Sequence, residues 1–447
     1  MRFSVERILS VLAYSMSSEF IAMCRRLKKS HFTRTRKMPL SDLLCSILHR
    51  RGTTLSIELR RFMELTDSKT TIAKSSYLNQ RLKLAPKAFM ALCDFHNASL
   101  YREEEMKTIN GYLLLADDGS SVNVPTTPET LKKYGTSCSK DVKQQASLGL
   151  SCLYDVINKV ILCCSINRAK FNEAEQVRLH IKKLPAIIGD KKTIVTLDRG
   201  FPSLLLFSSW LSAEQKFIVR LKSTDFKSER SRMKSDDEWV DIAITKTRLA
   251  HYKETEMYDE LAQLGSIRMR IVNIQMDGGT FASVATNLDE SEFSTSDIAH
   301  LYSLRWGIET AFNTLKNQLE MENFTGTDPV LIEQDIFACV YLCNVVQDMI
   351  ADAQAILDSK LKQTESGKGE SKYKHKKAIN KAYSVGVMKE EFIKIVLEPD
   401  IEVKRTKMLK MVEEIQKELL SVRYGRHYSR KKGNFAGKYP NNRKRCY

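Results

Sequence analysis

The sequence lacks a long hydrophobic run. No stretch of about 18 or more apolar residues occurs, which is the length that a membrane-spanning helix needs. The most apolar segment, Ile336 to Val346, is short enough to be a buried core helix. Near the N-terminus Glu6 and Arg7 interrupt the apolar residues, and no small-residue cleavage site follows. We therefore expect neither a membrane protein nor a secretory signal.

Paired metal-binding cysteines are lacking as well. The 10 cysteines are scattered without a C-x2-C pair, and the eight histidines are equally dispersed. This distribution argues against a zinc ribbon and against the disulfide framework of a small secreted protein. It predicts a reduced, cytoplasmic protein without a Cys/His metal site.

Acidic residues are in deficit. Lys and Arg number 71 against 54 Asp and Glu, which gives a net charge of +17 and an isoelectric point near 9.3. The chain has 447 residues, of which 43% are hydrophobic, so it is long enough for two to four globular domains. A positive surplus of this size favours a polyanionic partner, and nucleic acid fits better than a membrane.

Composition and periodicity divide the chain into regions. Residues 1–108 are basic with helical spacing, which is typical of a helix-turn-helix-like DNA-binding region and also of an ordinary solvated bundle. Strands alternating with helices in 109–222 and 281–328 predict an α/β core. Residues 223–280 are interpreted as a β-rich insertion, and 329–447 as a helical and basic C-terminal region. The last 26 residues carry nine cations and no acid, which fits either a phosphate-contacting arm or a solubilising tail.

Two acidic residues follow short apolar runs in the α/β region. The run up to Asp117 reads as a strand that ends in a tight turn at Asp118-Gly119-Ser120. Thr193 to Leu197 reads as a buried strand that ends at Asp198. Because neighbouring residues of a strand point to opposite faces, only one of Asp117 and Asp118 can face a site beside Asp198.

A third acidic residue lies in a predicted helix over Thr295 to Leu319. At about 100° per residue, Tyr302, Arg305, Glu309 and Lys316 fall within about 60° of one another and form one stripe. An i,i+4 salt bridge accounts for Arg305 and Glu309 alone. Trp306 lies beside the stripe, where it either stacks on a displaced base or belongs to the core.

Convergence of Asp118, Asp198 and Glu309 would create a site for hard cations. Carboxylates without a His or Cys cluster favour Mg²⁺ or Mn²⁺ over zinc. Two such ions about 3.5–4 Å apart can clamp the attacking and leaving oxygens of a phosphoryl transfer. Arg305 and Lys316 would then hold phosphate oxygens.

The spacing Tyr302-x2-Arg305-x3-Glu309-x6-Lys316 resembles the third signature of bacterial DDE transposases of the insertion sequence 4 group. Asp118-Gly-Ser-x-Val-Asn-Val-Pro125 and Asp198-Arg-Gly-Phe-Pro-Ser203 are similar to the first and second acidic segments of the group. In that pattern glycine directly follows the metal ligand, which favours Asp118 over Asp117.

The resemblance implies a ribonuclease-H-like catalytic core with an insertion between the second Asp and the Glu. It implies Asp118, Asp198 and Glu309 as catalytic and metal-binding residues, two Mg²⁺ ions for which Mn²⁺ can substitute, and Tyr302, Arg305 and Lys316 at DNA phosphates. The expected partners are the terminal inverted repeats of an element, target DNA and a second copy of the chain, in the cytoplasm at the nucleoid. A catalytically silent DNA-binding relative and a ribonuclease-H-like nuclease are the alternative interpretations.

Overall fold

The computed structural model describes residues 3–34, 37–66, 71–103, 106–136, 145–253, 258–275, 281–366 and 375–422. The basic residues from 423 onward therefore lie outside the described residues, and their role as a DNA-contacting arm stays a prediction. The chain divides into two compact units, the first formed by 1–100, 122–148 and 313–447, and the second by 101–121 and 149–312.

The helices of the described residues include two short 3₁₀ or π segments besides the α-helices. The α-helices are α1 (Phe3–Ser15), α2 (Ser18–Cys24), α3 (Leu40–Leu48), α4 (Leu55–Leu65), α5 (Lys74–Arg81), α6 (Lys87–Glu103), α7 (Pro128–Tyr134), α8 (Glu173–Ile188), α9 (Leu204–Ser212), α10 (Lys227–Arg230), α11 (Lys246–Leu249), α12 (Tyr258–Leu264), α13 (Thr295–Leu304), α14 (Gly307–Asn313), α15 (Pro329–Ser366), α16 (Lys381–Val396) and α17 (Ile401–Ile415). A 3₁₀ turn covers Ala250–Tyr252 and a π-helical turn covers Thr314–Gln318.

Eight strands form one sheet. They are β1 (Leu113–Asn123), β2 (Ser147–Asp155), β3 (Val160–Arg168), β4 (Thr193–Leu197), β5 (Lys216–Arg220), β6 (Asp237–Ala243), β7 (Ser266–Gln275) and β8 (Phe281–Thr286). Their order is β3-β2-β1-β4-β5-β8-β7-β6, and β9 (Lys377–Ile379) pairs with β10 (Leu419–Ser421) separately. The predicted α/β fold class is confirmed.

The centre of the sheet is parallel. β1 pairs with β4 and β4 with β5 in parallel register, whereas β8, β7 and β6 continue the sheet in antiparallel register. Ile194, Val195 and Leu197 are buried, as parallel strands covered on both faces require. The carboxyl ends of β1, β4 and β5 therefore meet at one edge of the sheet, where ligand sites of such sheets lie.

The turn that the sequence predicts at Asp118 is not formed, because β1 continues from Leu113 to Asn123 without interruption. Gly119 is not in the positive-φ region that a tight Asp-Gly turn uses. A Cβ at Gly119 would overlap Oε1 of Glu173 and lie 3.2 Å from the ring of Phe171. Glycine is required here for close packing inside a strand.

The segment 223–280 contributes two strands and three short helices among its described residues. Its strands β6 and β7 pair with each other, and β7 also pairs with β8. The insertion therefore extends the central sheet instead of forming a separate one.

The first unit is mainly helical and packs around α15. α1, α3, α16 and α17 all contact this long helix. Pro329–Lys362 is long and apolar enough to cross a membrane by length and composition, but 78% of its most apolar window is buried inside the protein. Burial of this kind is typical of the core helix of a globular unit, as expected for Ile336 to Val346.

The first unit contains a fully buried carboxylate, that of Asp335 in α15, which is neutralised by neighbouring cations. Asp335 forms ion pairs with Arg50 at 3.0 Å and Arg81 at 2.8 Å. The backbone N–H and the hydroxyl of Thr325 both donate to its Oδ2 at 2.8 Å. Burial raises its pKa, but the two guanidinium groups and Thr325 outweigh burial, so the pKa lies below its ordinary value. The carboxylate is thus saturated by its neighbours.

Candidate active site

The sheet brings the first two acidic residues together. The parallel register of β1 and β4 runs as far as Ala116 opposite Thr196. Asp118 and Asp198 each follow two residues later, so they occupy equivalent places beyond the last registered pair. Charge repulsion between them contributes to the raised pKa of Asp118, which is consistent with this proximity.

Asp117 and Asp118 point to opposite sides of β1, as adjacent strand residues must. Asp117 is fully buried and accepts hydrogen bonds from Nδ1 of His180 at 2.6 Å and from the hydroxyl of Ser151 at 3.3 Å. The side chain of Asp118 is 23% exposed and lies 3.7 Å from Arg305. Its Oδ1 also accepts a hydrogen bond from the backbone N–H of Gly119 at 2.8 Å. Asp118 is therefore the member of the pair that shares a neighbourhood with Arg305.

Arg305 and Tyr302 connect all three carboxylates. The guanidinium group of Arg305 lies 3.7 Å from Asp118 and 3.5 Å from Oε1 of Glu309. It also stacks on the ring of Tyr302, 5.7 Å from its centroid. The Tyr302 hydroxyl donates to Oδ1 of Asp198 at 3.4 Å. Five of the six residues singled out in the sequence thus share one neighbourhood in the second unit.

Burial and repulsion dominate the electrostatics of Asp118. Burial raises the pKa of its carboxyl to about 6, with Glu173 and Asp198 adding to the effect. The Gly119 N–H and Arg305 act in the opposite direction without cancelling it. Burial lowers the pKa of Arg305, but Tyr302, Asp198 and Asp118 overcome this and raise it. The site thus holds more negative charge than its one close guanidinium group neutralises.

The predicted continuous helix from Thr295 to Leu319 is wrong. α13 ends at Leu304, and the backbone then forms i→i−3 hydrogen bonds from Arg305 to Tyr302 and from Glu309 to Trp306. After α14 the chain widens into the π-helical turn Thr314–Gln318. Because the rotation per residue changes at both points, a wheel of 100° steps does not describe this segment.

Lys316 and Trp306 are affected by these irregularities. Lys316 lies in the π-helical turn, within the first unit, and burial lowers the pKa of its ammonium group while Glu322 partly compensates. Trp306 is 48% exposed, so the interpretation of this residue as part of the core is wrong.

Glu173 is a further carboxylate of this region that the sequence did not reveal. It begins α8, after the N-cap Asn172. Its Oε1 lies where a Cβ of Gly119 would be, and its Oε2 would lie 3.4 Å from a Cβ of Gly200. Gly119 directly follows Asp118, and Gly200 lies two residues after Asp198. These two glycines are the sequence signal that another side chain packs closely against both segments.

The carboxylate oxygens of the site are suitable ligands for a divalent cation. In this structure, however, the guanidinium group of Arg305 lies between Asp118 and Glu309. Within the described residues, no group of three or more His, Cys, Asp or Glu side chains is close enough together to hold a metal ion. Three carboxylates that share one close guanidinium group offer the oxygen donors that Mg²⁺ and Mn²⁺ prefer.

A basic groove of about 730 Å³ opens next to Asp198. Among its lining residues are four cationic side chains and the carboxylate of Asp236; the cations are Arg199, Arg220, Lys222 and Arg230. Arg199 directly follows Asp198, and the charge of Arg220 acts on the pKa of Tyr302. The groove therefore lies near the carboxylate neighbourhood, and its cations fit a polyanion.

Comparison with known proteins identifies the class of this site. Residues 110–345, more than half of the chain, match the family described as transposase DDE domain. The chain belongs to the DDE transposases, within the insertion sequence 4 group. The activity of the class is cleavage and joining of DNA strands with divalent metal ions, and DNA is the partner of this protein.

Two transposases of Escherichia coli are similar to this chain in sequence. The chain is 21% identical over 358 residues to the transposase InsG for insertion sequence element IS4 of Escherichia coli K12, which covers 77% of each protein. It is 37% identical to the transposase for insertion sequence element IS421 of Escherichia coli over 65 residues. This match covers 14% of this chain and 18% of that protein. A structure of the piggyBac transposase synaptic complex with hairpin DNA aligns over 96% of this chain and 88% of its own, at 9% identity and a TM-score of 0.46.

Proposed function

We propose that Asp118, Asp198 and Glu309 are the catalytic, metal-binding residues of a transposase that cleaves and joins DNA at the ends of an insertion element. The observation that carries this proposal is the connection of all three carboxylates through Arg305 and Tyr302. Two Mg²⁺ ions, for which Mn²⁺ can substitute, match the type of oxygen donor that these carboxylates supply. Asp117 is left out because it is buried and bound by His180.

The chain's own residues prepare the reaction in separate ways. Metal ions, when bound, would supply Lewis-acid stabilisation of the attacking and leaving oxygens. With a pKa of about 6, Asp118 is mostly ionised at pH 7 and above. Tyr302 orients Asp198 through its hydroxyl. Arg305 and Lys316 hold phosphate oxygens of the DNA, since guanidinium and ammonium groups bind them by charge-assisted hydrogen bonds.

The basic groove gives the DNA backbone a path to the carboxylates. Arg199, Arg220 and Lys222 form no salt bridge with another described residue. Cations without an acidic partner attract phosphates and release their counterions on binding. We therefore place a DNA strand in this groove, with its reacting phosphate at Asp198.

The remaining assignments rest on the family and on composition. The DNA partners are the terminal inverted repeats of the element and the target duplex. A homodimer would hold two element ends in one synaptic complex, and the site of action would be the cytoplasm, at the nucleoid. Residues 1–108 would form a DNA-binding region, 109–222 and 281–328 the catalytic core, 223–280 the insertion and 329–447 the basic C-terminal region.

The test is a cleavage and joining assay with the full chain, Mg²⁺ and a duplex that carries one element end. We expect metal-dependent cleavage, followed by covalent joining of the freed 3′-hydroxyl end to a second duplex. Asp198→Ala and Glu309→Ala should each abolish both steps and leave DNA binding within about twofold, because neither residue binds the phosphates outside the site. Cleavage at the wild-type rate by either variant would refute that ligand assignment.

Joining separates this function from its alternatives. A ribonuclease-H-like nuclease would cleave without joining, and a silent DNA-binding relative would do neither. Lys316→Ala should clearly reduce strand joining and change the thermal midpoint only slightly. A large loss of thermal stability with normal joining would give Lys316 a structural role instead.

A further inference from the structure

A chain of buried polar side chains lies directly behind Asp118. Asp117 accepts a hydrogen bond from Nδ1 of His180 at 2.6 Å, and both side chains are almost completely buried. Nε2 of His180 lies 3.2 Å from the hydroxyl of Ser165, which donates to Oε1 of Gln176 at 3.0 Å. Every polar atom of the imidazole ring therefore has a partner.

This chain of hydrogen bonds ties α8 to the central sheet at the residue next to the proposed ligand. Asp117 belongs to β1, Ser165 to β3, and His180 and Gln176 to α8. The first residue of the same helix, Glu173, has its carboxylate against Gly119 and near Gly200. α8 thus touches the backbone immediately after Asp118 and shortly after Asp198, and His180 fixes it in place.

We propose that His180 is a positioning residue for transposition: through Asp117 it fixes the stretch of β1 that carries Asp118. This inference rests on the proposed role of Asp118. A buried pair of polar side chains is seldom needed for stability, since apolar residues of similar volume are often equally stabilising. A directional hydrogen bond from a helix to the neighbour of a ligand does what apolar packing cannot, because it sets the orientation of the strand. Groups hydrogen-bonded directly to a metal ligand change metal affinity or activity about 10–100-fold when they are removed. For His180, which acts one residue away from the ligand, we expect an effect at the lower end of this range.

The decisive variant removes both partners of the His180–Asp117 hydrogen bond and leaves only the hydroxyl of Ser151, which donates to Asp117 at 3.3 Å, without its acceptor. Asp117→Val combined with His180→Leu keeps the site apolar and filled, so the protein should fold with a thermal midpoint close to that of the wild type. We expect single-turnover cleavage of an element-end duplex to fall about tenfold or more. Binding of Mn²⁺ to the protein, followed by calorimetry, should weaken by a similar factor, while DNA binding stays within about twofold.

A matched control exists in the first unit. His96 Nε2 lies 3.2 Å from Oδ2 of Asp348, and both side chains are buried. His96→Ala should lower the thermal midpoint, as His180→Ala should, and leave the cleavage rate of the folded protein unchanged. An equal loss of cleavage in His96→Ala would mean that general destabilisation explains the effect of His180, and would overturn the proposal.

Two further outcomes decide the question. Wild-type cleavage and wild-type Mn²⁺ affinity in the double variant would overturn the proposal. If the double variant does not fold, His180→Gln and His180→Ala take its place, because Gln retains an N–H donor for Asp117. We expect Gln to restore most of the cleavage that Ala loses, and equal rates for the two would overturn the proposal. The role of Asp118 is tested separately: an active Asp118→Ala protein refutes the proposed site, whereas inactive Asp118→Ala with a fully active double variant refutes only the role of His180.

Discussion

Asp335 and Asp118 are two carboxylates that the same chain treats in opposite ways. Asp335 in the helical unit is completely buried, pairs with two arginines and has a lowered pKa. Asp118 in the sheet unit is partly exposed, lies 3.7 Å from one arginine and has a pKa raised to about 6. The first carboxylate is fully compensated, and the second retains unbalanced charge.

The difference separates stability from function. A saturated carboxylate can bind nothing further, and its partners depend on it. An undersaturated one costs free energy in the isolated protein and is available for a cation or a phosphate-bound ligand. Perturbed pKa values cluster at functional sites for this reason.

The largest effect should come from Asp118→Ala. We expect DNA cleavage to fall at least about a thousandfold, as is common when a residue acting in the transition state is removed. The thermal midpoint should change by no more than a few degrees, because this carboxylate makes few favourable interactions in the isolated protein. Cleavage and thermal melting of the same preparation check both parts, with Asp117 left intact. A protein that melts far below the wild type would show that Asp118 is a structural residue like Asp335.

Asp335→Ala should show the reverse pattern. Removal of the carboxylate leaves Arg50 and Arg81 buried without their anion, which costs about 3–5 kcal/mol in comparable cases. Urea unfolding should record this decrease in the free energy of unfolding. The matched control is Glu390→Ala, which removes the exposed ion pair with Arg51 and should cost at most about 1 kcal/mol. Equal costs for the two variants would remove the distinction between buried and exposed pairs in this unit.

The pKa of Asp118 predicts a pH-dependent stability effect in metal-free buffer. Its folded-state pKa of about 6 exceeds the ordinary 3.8, so its favourable contribution is complete below about pH 3.8 and is lost as the pH rises through 6. Asp118→Asn should therefore stabilise the protein at pH 8 by up to about 3 kcal/mol, at about 1.4 kcal/mol per pKa unit, and have little effect near pH 3.5. Unfolding at both pH values measures the difference, and an effect of equal size at both would contradict the raised pKa of Asp118.

The smallest effect concerns the basic groove. Arg199→Ala or Lys222→Ala should weaken DNA binding a few-fold and reduce the slope of log K against log salt concentration by about 1 for each phosphate that is no longer neutralised. Lys253→Ala, a cation outside the lining of the groove, is the control. Unchanged slopes for both groove variants would place the DNA elsewhere.

Much of the sheet could be predicted from the sequence, because its parallel strands are short apolar runs. Thr193–Leu197 has the predicted bounds, and Asp198 follows it as expected. The Asp-Gly pair at 118–119 predicted a turn that is not formed, since the same dipeptide occurs in turns and at positions of close packing. Only the position of Glu173, more than 50 residues away, distinguishes the two uses.

The helix with Tyr302, Arg305 and Glu309 shows a second limit of sequence patterns. Apolar spacing is nearly the same for an ideal helix and for one that tightens and then widens, so it predicted one continuous helix. The ion pair of Arg305 with Glu309 is the local i,i+4 contact that the sequence predicts. The approach of Arg305 to Asp118, which is distant in the sequence, is a long-range property of the fold.

The i→i−3 hydrogen bonds at Arg305 and Trp306 have a consequence for how this protein tolerates change. One residue inserted or deleted between Leu304 and Ile308 would turn the following helix by about 100° and carry the Glu309 carboxylate away from its neighbours. Substitution of the half-exposed Trp306 leaves that rotation intact. The length of this short connection, rather than the identity of its most prominent residue, therefore fixes the position of Glu309.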